Sequence, residues 1–430
     1  MSVDDNVGNY QYGSVAYISD AANDLKYSVA FFIATFLLVI STKIPSAYRE
    51  SYIYTVPVFL IILLMGIVIL NERFCKYELI SIFAYFLFSL FYSFLIRSKY
   101  QYARLPDIPH YYDDYSQAMS LGLFENLANN RWSSDPGFMI LQWLISRISM
   151  DVWGYISLFY FINCTLITLA VTQIAGWNYA FIGCFLFTFY PTTSIAYVNI
   201  LRQGLACSTL VLAIVYLHKA RLITSLFLLI IAFSLHDTSI YITIPALLYS
   251  IEPMRASYKR KKTVILIVLW AAFFIFSLLG RNITIGSYLN RFVNSNDLVK
   301  YSQNTRDFYS IWDTIDFIIY NCVLSAVALY ALYTDTKKSS HEQKPIHMFN
   351  RSYSVNIPNF VIVLSIMFFI VSYLREGRRF SYYGLFFLPV LIVLVVKEKT
   401  PNYIICVMLA FFIVCFRHSS LGALVNVFAH

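Results

Sequence analysis

This chain is short of charge. Only 13% of its 430 residues are Asp, Glu, Lys or Arg, while 59% are hydrophobic and the mean hydropathy is +0.63. Soluble domains carry about 25% charged residues, so a water-soluble enzyme is excluded. The sequence also contains no Walker A motif and no GxGxxG, which argues against ATP-driven pumping and dinucleotide chemistry. HExxH, DxD and CxxC are all absent, so no metal site and no cofactor is expected. The seven cysteines (75, 164, 184, 207, 322, 406 and 415) are scattered through apolar runs and read as small buried side chains rather than disulfides. Residues 1–26 carry four Asp but a single Lys, so they lack the basic start of a signal peptide and the first span is expected to remain as an anchor.

Repeated apolar runs take the place of these missing features. Candidate spans fall at 27–42, 54–71, 77–96, 152–175, 177–190, 203–218, 221–236, 237–251, 263–280, 313–333, 357–374, 383–396 and 401–416. They predict an all-α polytopic membrane protein of about 12 to 14 transmembrane helices. Residues 1–430 are expected to form one integral membrane domain, with outer loops at 97–151 and 281–312. The run 137–150, interrupted by Gln142 and Arg147, is too short to cross and is expected to be re-entrant or interfacial.

The net charge of +9 reflects orientation rather than nucleic-acid binding. Basic clusters at Arg73/Lys76, Lys219/Arg221, Arg255 with Lys259 to Lys262, Lys337/Lys338/Lys344/Arg351 and Lys397/Lys399 all fall on one side if 137–150 does not cross. That side is expected to be cytoplasmic. The opposite side then receives 97–151, 191–202, the turn at His236/Asp237, 281–312 and 375–382. One outer segment departs from the rule, because Arg375, Arg378 and Arg379 stand where few cations belong.

Arg202, at the mouth of an apolar run in Asn199-Ile-Leu-Arg-Gln203-Gly-Leu-Ala206, is the second exception. A guanidinium at membrane depth costs roughly 2.5–3.5 kcal/mol on insertion scales and is normally paired or aimed at an anion. Arg202, Arg378 and Arg379 suit phosphate oxygens, which the guanidinium fork meets two at a time. Developing charge on a diphosphate leaving group needs such donors. The other reading is orientation or ion pairing, for example with Glu376.

Two residues are candidate bases. Asp107 is flanked by Pro106 and Pro109, which keep it out of a helix, and it is either a base or sugar ligand or a solvated loop acid. His236 separates two apolar runs and is either a base or phosphate donor or a structural residue. Asp135, before Pro136 and Gly137, is placed to cap the following helix. The Tyr111, Tyr112, Tyr115 run and Trp132 either fill the core or stack on sugar rings in a long outer loop.

These positions resemble the EpsG/Wzy-type family of bacterial polysaccharide polymerases. NILRQGLA resembles the family's Asn-x-x-Arg-Gln-x-x-Ala segment through Asn199, Arg202, Gln203 and Ala206. RLPDIPHYYDDY keeps the outer-loop Asp as Asp107, with Leu-Pro in place of Gly-Thr. SDPGFMILQWL is similar to a Glu-Pro-Gly-Tyr helix start, with Asp135 for Glu and Phe138 for Tyr. RRFSYYGLFFLP resembles the late Arg…Tyr-Tyr…Pro segment through Arg379, Tyr382, Tyr383 and Pro389, and SLHDTS resembles a His-containing helix junction.

The resemblance implies a GT-C-like bundle that polymerises glycan repeat units carried on undecaprenyl diphosphate, outside the cytoplasmic membrane, without a nucleotide sugar or a metal. It implies diphosphate binding by Arg202 and Arg379, assisted by Arg378 and Arg375, with Asp107 or His236 as the base. Gln203, Asn199, Asp135, Tyr382, Tyr383 and Trp132 would meet the substrate. Implied partners are the lipid-linked donor and acceptor and the bilayer, with a chain-length regulator and a flippase beside them. Rival readings are a flippase or transporter of the same lipid, a glycan ligase, and a non-enzymatic subunit of a secretion complex. A transporter should show internal repeats, and none is visible.

Overall fold

The computed structural model describes residues 78–99, 108–129, 135–148, 152–189, 200–253, 256–279, 311–337, 346–348, 351–372 and 377–397. The expected spans 27–42, 54–71 and 401–416, the polar segment 1–26 and the 281–312 loop lie outside them. In chain order the described elements are α1 (Glu78–Lys99), α2 (Ile108–Ser120), α3 (Leu123–Asn129), α4 (Pro136–Ser146), α5 (Val152–Ala175), α6 (Ala180–Phe189), α7 (Leu201–His218), α8 (Leu222–Leu235) and α9 (Thr238–Ser250). There follow β1 (Ile251–Pro253), α10 (Ala256–Leu279), α11 (Ile311–Lys337), β2 (Ile346–Met348), β3 (Arg351–Val355), α12 (Ile357–Val371), α13 (Gly377–Leu385) and α14 (Leu388–Val396).

The chain is therefore an all-α polytopic membrane protein, as its hydropathy predicts. Among the described residues, four stretches are long and apolar enough to cross a bilayer: Gly154–Ala175, Leu201–His218, Phe317–Thr334 and Arg379–Val396. The last comprises α13 and α14, joined across a tight turn at Phe386 and Phe387, where Phe387 N–H donates to Gly384 O at 2.9 Å. Shorter apolar helices accompany them, including Leu222–Leu235 and Thr238–Ser250. The 97–151 segment, expected as an outer loop with one short re-entrant or interfacial run at 137–150, holds α2 and α3 as well as the expected short α4. At 11 residues α4 spans roughly 16 Å, too little to cross.

The core lies around α7, nearly all of whose side chains are buried. Helices are joined by polar side chains as well as by packing, as expected where lipid gives no hydrophobic drive between them. Ser208 Oγ donates to Asn163 Oδ1 at 2.6 Å between α7 and α5, and Trp270 Nε1 donates to Ser325 Oγ at 2.9 Å between α10 and α11. Cys164 and Cys184 are buried free thiols, with Sγ atoms 3.1 Å apart. Large apolar side chains point outward from α8 and α9: Ile223 is 87% exposed and Leu248 70%. Such surfaces suit lipid rather than water.

The Tyr-rich run does not form an open platform. Tyr111 and Tyr115 are buried in α2, where Tyr115 stacks on Tyr155 at 4.6 Å and Tyr111 meets Phe138 edge-on at 5.6 Å. Core filling, not sugar stacking, accounts for both.

The bundle has two distinct ends. At one, β1, β3 and β2 form a small antiparallel sheet in the order β1-β3-β2, an addition that the apolar pattern does not predict. His218 Nδ1 meets Val355 O at 2.7 Å there, and Lys262 Nζ donates to Ile251 O at 3.1 Å. The basic residues at 219–221, Lys262 and Arg351 thus share this end. The α7–α8 turn is closed by Ala220 at φ 60°, with Arg221 N–H donating to Tyr216 O at 2.9 Å. Arg202 stands in the first turn of the 18-residue α7 and His218 ends it, which puts them roughly 24 Å apart along the helix. Arg202 therefore belongs to the opposite end.

Candidate active site

Five helix termini meet at that opposite end: the starts of α4, α7, α9 and α13 and the end of α8. Pro136 opens α4 at a position where its missing N–H costs nothing. Gly137 allows the start of α4 to press against α8: a Cβ there would collide with the Ser234 side chain and lie 3.0 Å from its carbonyl carbon. This close approach carries Asp135 to the α8–α9 junction. The Asp135 carbonyl accepts from Phe138 and Met139, but its side chain makes no cap. That corrects the expectation from sequence. The carboxylate is drawn away to longer-range partners.

Asp135 is fully buried. Its Oδ2 forms an ion pair with Arg202 in the first turn of α7. Its Oδ1 accepts the backbone N–H of Asp237 at 2.9 Å. His236 Nδ1 lies 3.5 Å from the same Oδ2 and 3.8 Å from Asp237 Oδ1. Burial pushes the Asp135 carboxyl up, but His236, Arg202 and the Asp237 N–H outweigh it and hold the group below the ordinary value of 3.8.

His236 is held by the backbone on both sides. Its own N–H donates to Ala232 O at 3.2 Å, and its carbonyl accepts Ser239 N–H at 3.1 Å and Ser239 Oγ at 2.6 Å. The residue is extended (φ −159°, ψ 113°), which breaks the apolar run into two helices and leaves the ring between them. Asp237 begins α9 with its side chain half exposed.

The start of α13 completes the group. Gln203 Nε2 donates to Arg379 O at 2.5 Å, and Thr238 Oγ1 and the Tyr383 hydroxyl are 3.1 Å apart. These two links tie α13 to α7 and α9. The Arg379 side chain is exposed at this end. The helix starts of α7, α9 and α13 bring their positive dipole ends to the same place, and a helix N-terminus favours anions.

The candidate residues divide accordingly. Arg202, Gln203, His236, Asp135 and Arg379 come together. Gln203 is buried, and its amide donates to the Arg379 backbone, which ties α13 to α7. Tyr382 and Tyr383 are buried as well, Tyr382 meeting the Phe317 ring edge-on at 6.0 Å. They form packing behind the site instead of a surface for sugar. Arg378 lies in the first turn of α13, its side chain outside the described part, and Asp107, Trp132, Asn199 and Arg375 also lie outside it.

Sequence reasoning missed Asp135 as the hub and Asp237 as its backbone donor. The Asp-Pro-Gly start and the His-Asp junction were visible signals, but nothing local linked them across 102 residues. Asp135, His236 and Asp237 bring ligand-type atoms within 4.8 Å of one another, a spacing that suits a metal ion. Arg202 already pairs with the central carboxylate, and a metal cation there would face its charge. The arrangement suits an anion over the cluster better than a cation within it.

Fold and site together define a polytopic membrane protein with a buried Asp–Arg–His cluster at one bundle end. The family model described as EpsG family matches residues 82–427, and the chain belongs to that family. Membership points to a membrane protein of polysaccharide-polymerase type. No curated protein matches the chain, and no solved structure does.

Proposed function

We propose that the protein is a membrane glycosyltransferase that polymerises oligosaccharide repeat units linked to undecaprenyl diphosphate. The pocket would face outward from the bacterial cytoplasmic membrane, and the products would be O-antigen, capsule or exopolysaccharide. The observation that carries this reading is the meeting of Arg202 and His236 on one buried carboxylate, with the Arg379 backbone tied beside them through Gln203. The family match and the polarity of the basic turns support it.

In this reading Arg202 and Arg379 hold the donor diphosphate, with Arg378 and Arg375 assisting. His236 is the base, favoured over Asp107 by its place beside Arg202's carboxylate partner. An acceptor hydroxyl oxygen attacks the anomeric carbon of the donor glycan, and its proton passes to His236. The anomeric C–O bond breaks, and the lipid diphosphate leaves with the electron pair. The guanidinium groups stabilise the charge that builds on the leaving oxygen.

The test is chain extension in a strain lacking the polymerase. Arg202→Ala or Arg379→Ala should abolish the glycan ladder while single repeat units persist and protein levels stay normal. A full-length ladder from both variants refutes the assignment. Lipid translocation without glycan lengthening by the reconstituted protein would favour a transporter instead.

A further inference from the structure

Asp135 Oδ2 faces two groups that it does not serve equally. Arg202 Nη1 is in direct contact with it, while His236 Nδ1 stands 3.5 Å away, buried and without a hydrogen bond. The other carboxylate oxygen is committed to Asp237 N–H at 2.9 Å, so it cannot turn to the ring without leaving that N–H unsatisfied. The second acid near Nδ1, Asp237, is 3.8 Å away on a half-exposed side chain. A buried ring nitrogen thus lies next to an acceptor that a guanidinium already occupies.

We infer that Asp135 is a positioning residue that serves Arg202 and His236 in turn, so that donor diphosphate arms the base. This deepens the proposed function and rests on its assignment of Arg202 to the diphosphate. A diphosphate carries more negative charge than one carboxylate and offers the guanidinium fork more acceptors. It draws Arg202 off Oδ2. A buried carboxylate oxygen left without a donor is costly, and the nearest new donor to Oδ2 is His236 Nδ1–H. Closing that gap fixes the ring as the Nδ1–H tautomer and leaves Nε2 as the bare nitrogen that accepts the hydroxyl proton. The imidazolium then formed is stabilised by the same carboxylate. The base is assembled only when a donor is present, and binding is ordered with donor before acceptor.

The experiment uses the full-length protein in nanodiscs, labelled with ¹⁵N-histidine; the chain has seven histidines, and His236→Gln assigns the signal. Inorganic pyrophosphate and undecaprenyl diphosphate are the probes, with binding followed separately by calorimetry. Saturation with either should shift His236 toward the Nδ1–H tautomer. Asp135→Asn should abolish that shift while binding falls less than about tenfold. In elongation assays Asp135→Asn should lower kcat by about 10²- to 10⁴-fold, with donor KM little changed. A mere anchor for Arg202 would instead raise donor KM and spare kcat. Bound diphosphate without a change at His236 overturns the inference alone, whereas no diphosphate binding at all overturns the functional reading beneath it. The wild-type titration decides between these even if the variant does not fold.

Discussion

Gly137→Ala gives the most direct test of how the site is assembled. An added Cβ would meet the Ser234 side chain and sit 2.8 Å from Ser234 Cβ and 3.0 Å from its carbonyl carbon. Carbon pairs settle at roughly 3.5–4.0 Å, so α4 and the end of α8 must part by roughly 1 Å. Overpacking of this kind costs about 1–3 kcal/mol. The larger effect falls on function, because Asp135 is two residues from the collision and its bonds to Arg202 and Asp237 cannot stretch that far. A misplacement of about 1 Å in a catalytic constellation costs about 10²-fold. The assay pairs glycan-ladder length in cells with the melting temperature of the purified protein. Gly137→Ala should shorten the ladder severely and lower the melting temperature modestly. Ser234→Gly removes the colliding Cβ and Oγ but not the backbone carbon, so the double variant should recover part of both. A Gly137→Ala protein with a wild-type ladder and melting point would refute the account of how Asp135 reaches the junction.

Other expectations can be checked separately. Ala220 holds a left-handed conformation that glycine adopts without strain, so Ala220→Gly should stabilise the protein by about 0.5–1 kcal/mol, read as melting temperature, with elongation unchanged. The Asp135 carboxyl is held below its ordinary value, so its contribution is present above that value and is lost as pH falls through the folded-state value. Wild-type protein should therefore lose stability in acid below about pH 4, and Asp135→Asn should flatten that part of the profile. Gln203→Leu removes the amide bonded to the Arg379 carbonyl. It should raise donor KM more than it lowers kcat, and unchanged donor KM would count against a link between Gln203 and Arg379 placement.

The apolar periodicity predicted α5 at 152–175, where the helix is Val152–Ala175, and placed α7 to α9 within a few residues of their observed ends. Hydropathy reads well because the bilayer requires each crossing segment to satisfy its own backbone. The same rule hid the helices of the 97–151 segment, since α2 carries Asp113, Asp114 and Gln117 and resembles a loop in composition. Its Tyr111 and Tyr115 are buried only because α4 and α5 lie against them.

By itself, the sequence determined a helical membrane protein, its basic turns and the unusual cations Arg202 and Arg379, because single-segment composition sets the energy of insertion. It also singled out Asp135, as a helix cap and substrate contact, and His236, as a candidate base at a helix junction, without linking the two. Only the tertiary structure decided that one buried carboxylate joins Arg202, His236 and the Asp237 N–H. Those partners are separated by 67 and about a hundred residues, and contacts at such range depend on which helices pack together. Likewise, only packing showed that Gln203, Tyr382 and Tyr383 support the pocket from behind: burial is a property of neighbours, which no local spacing records.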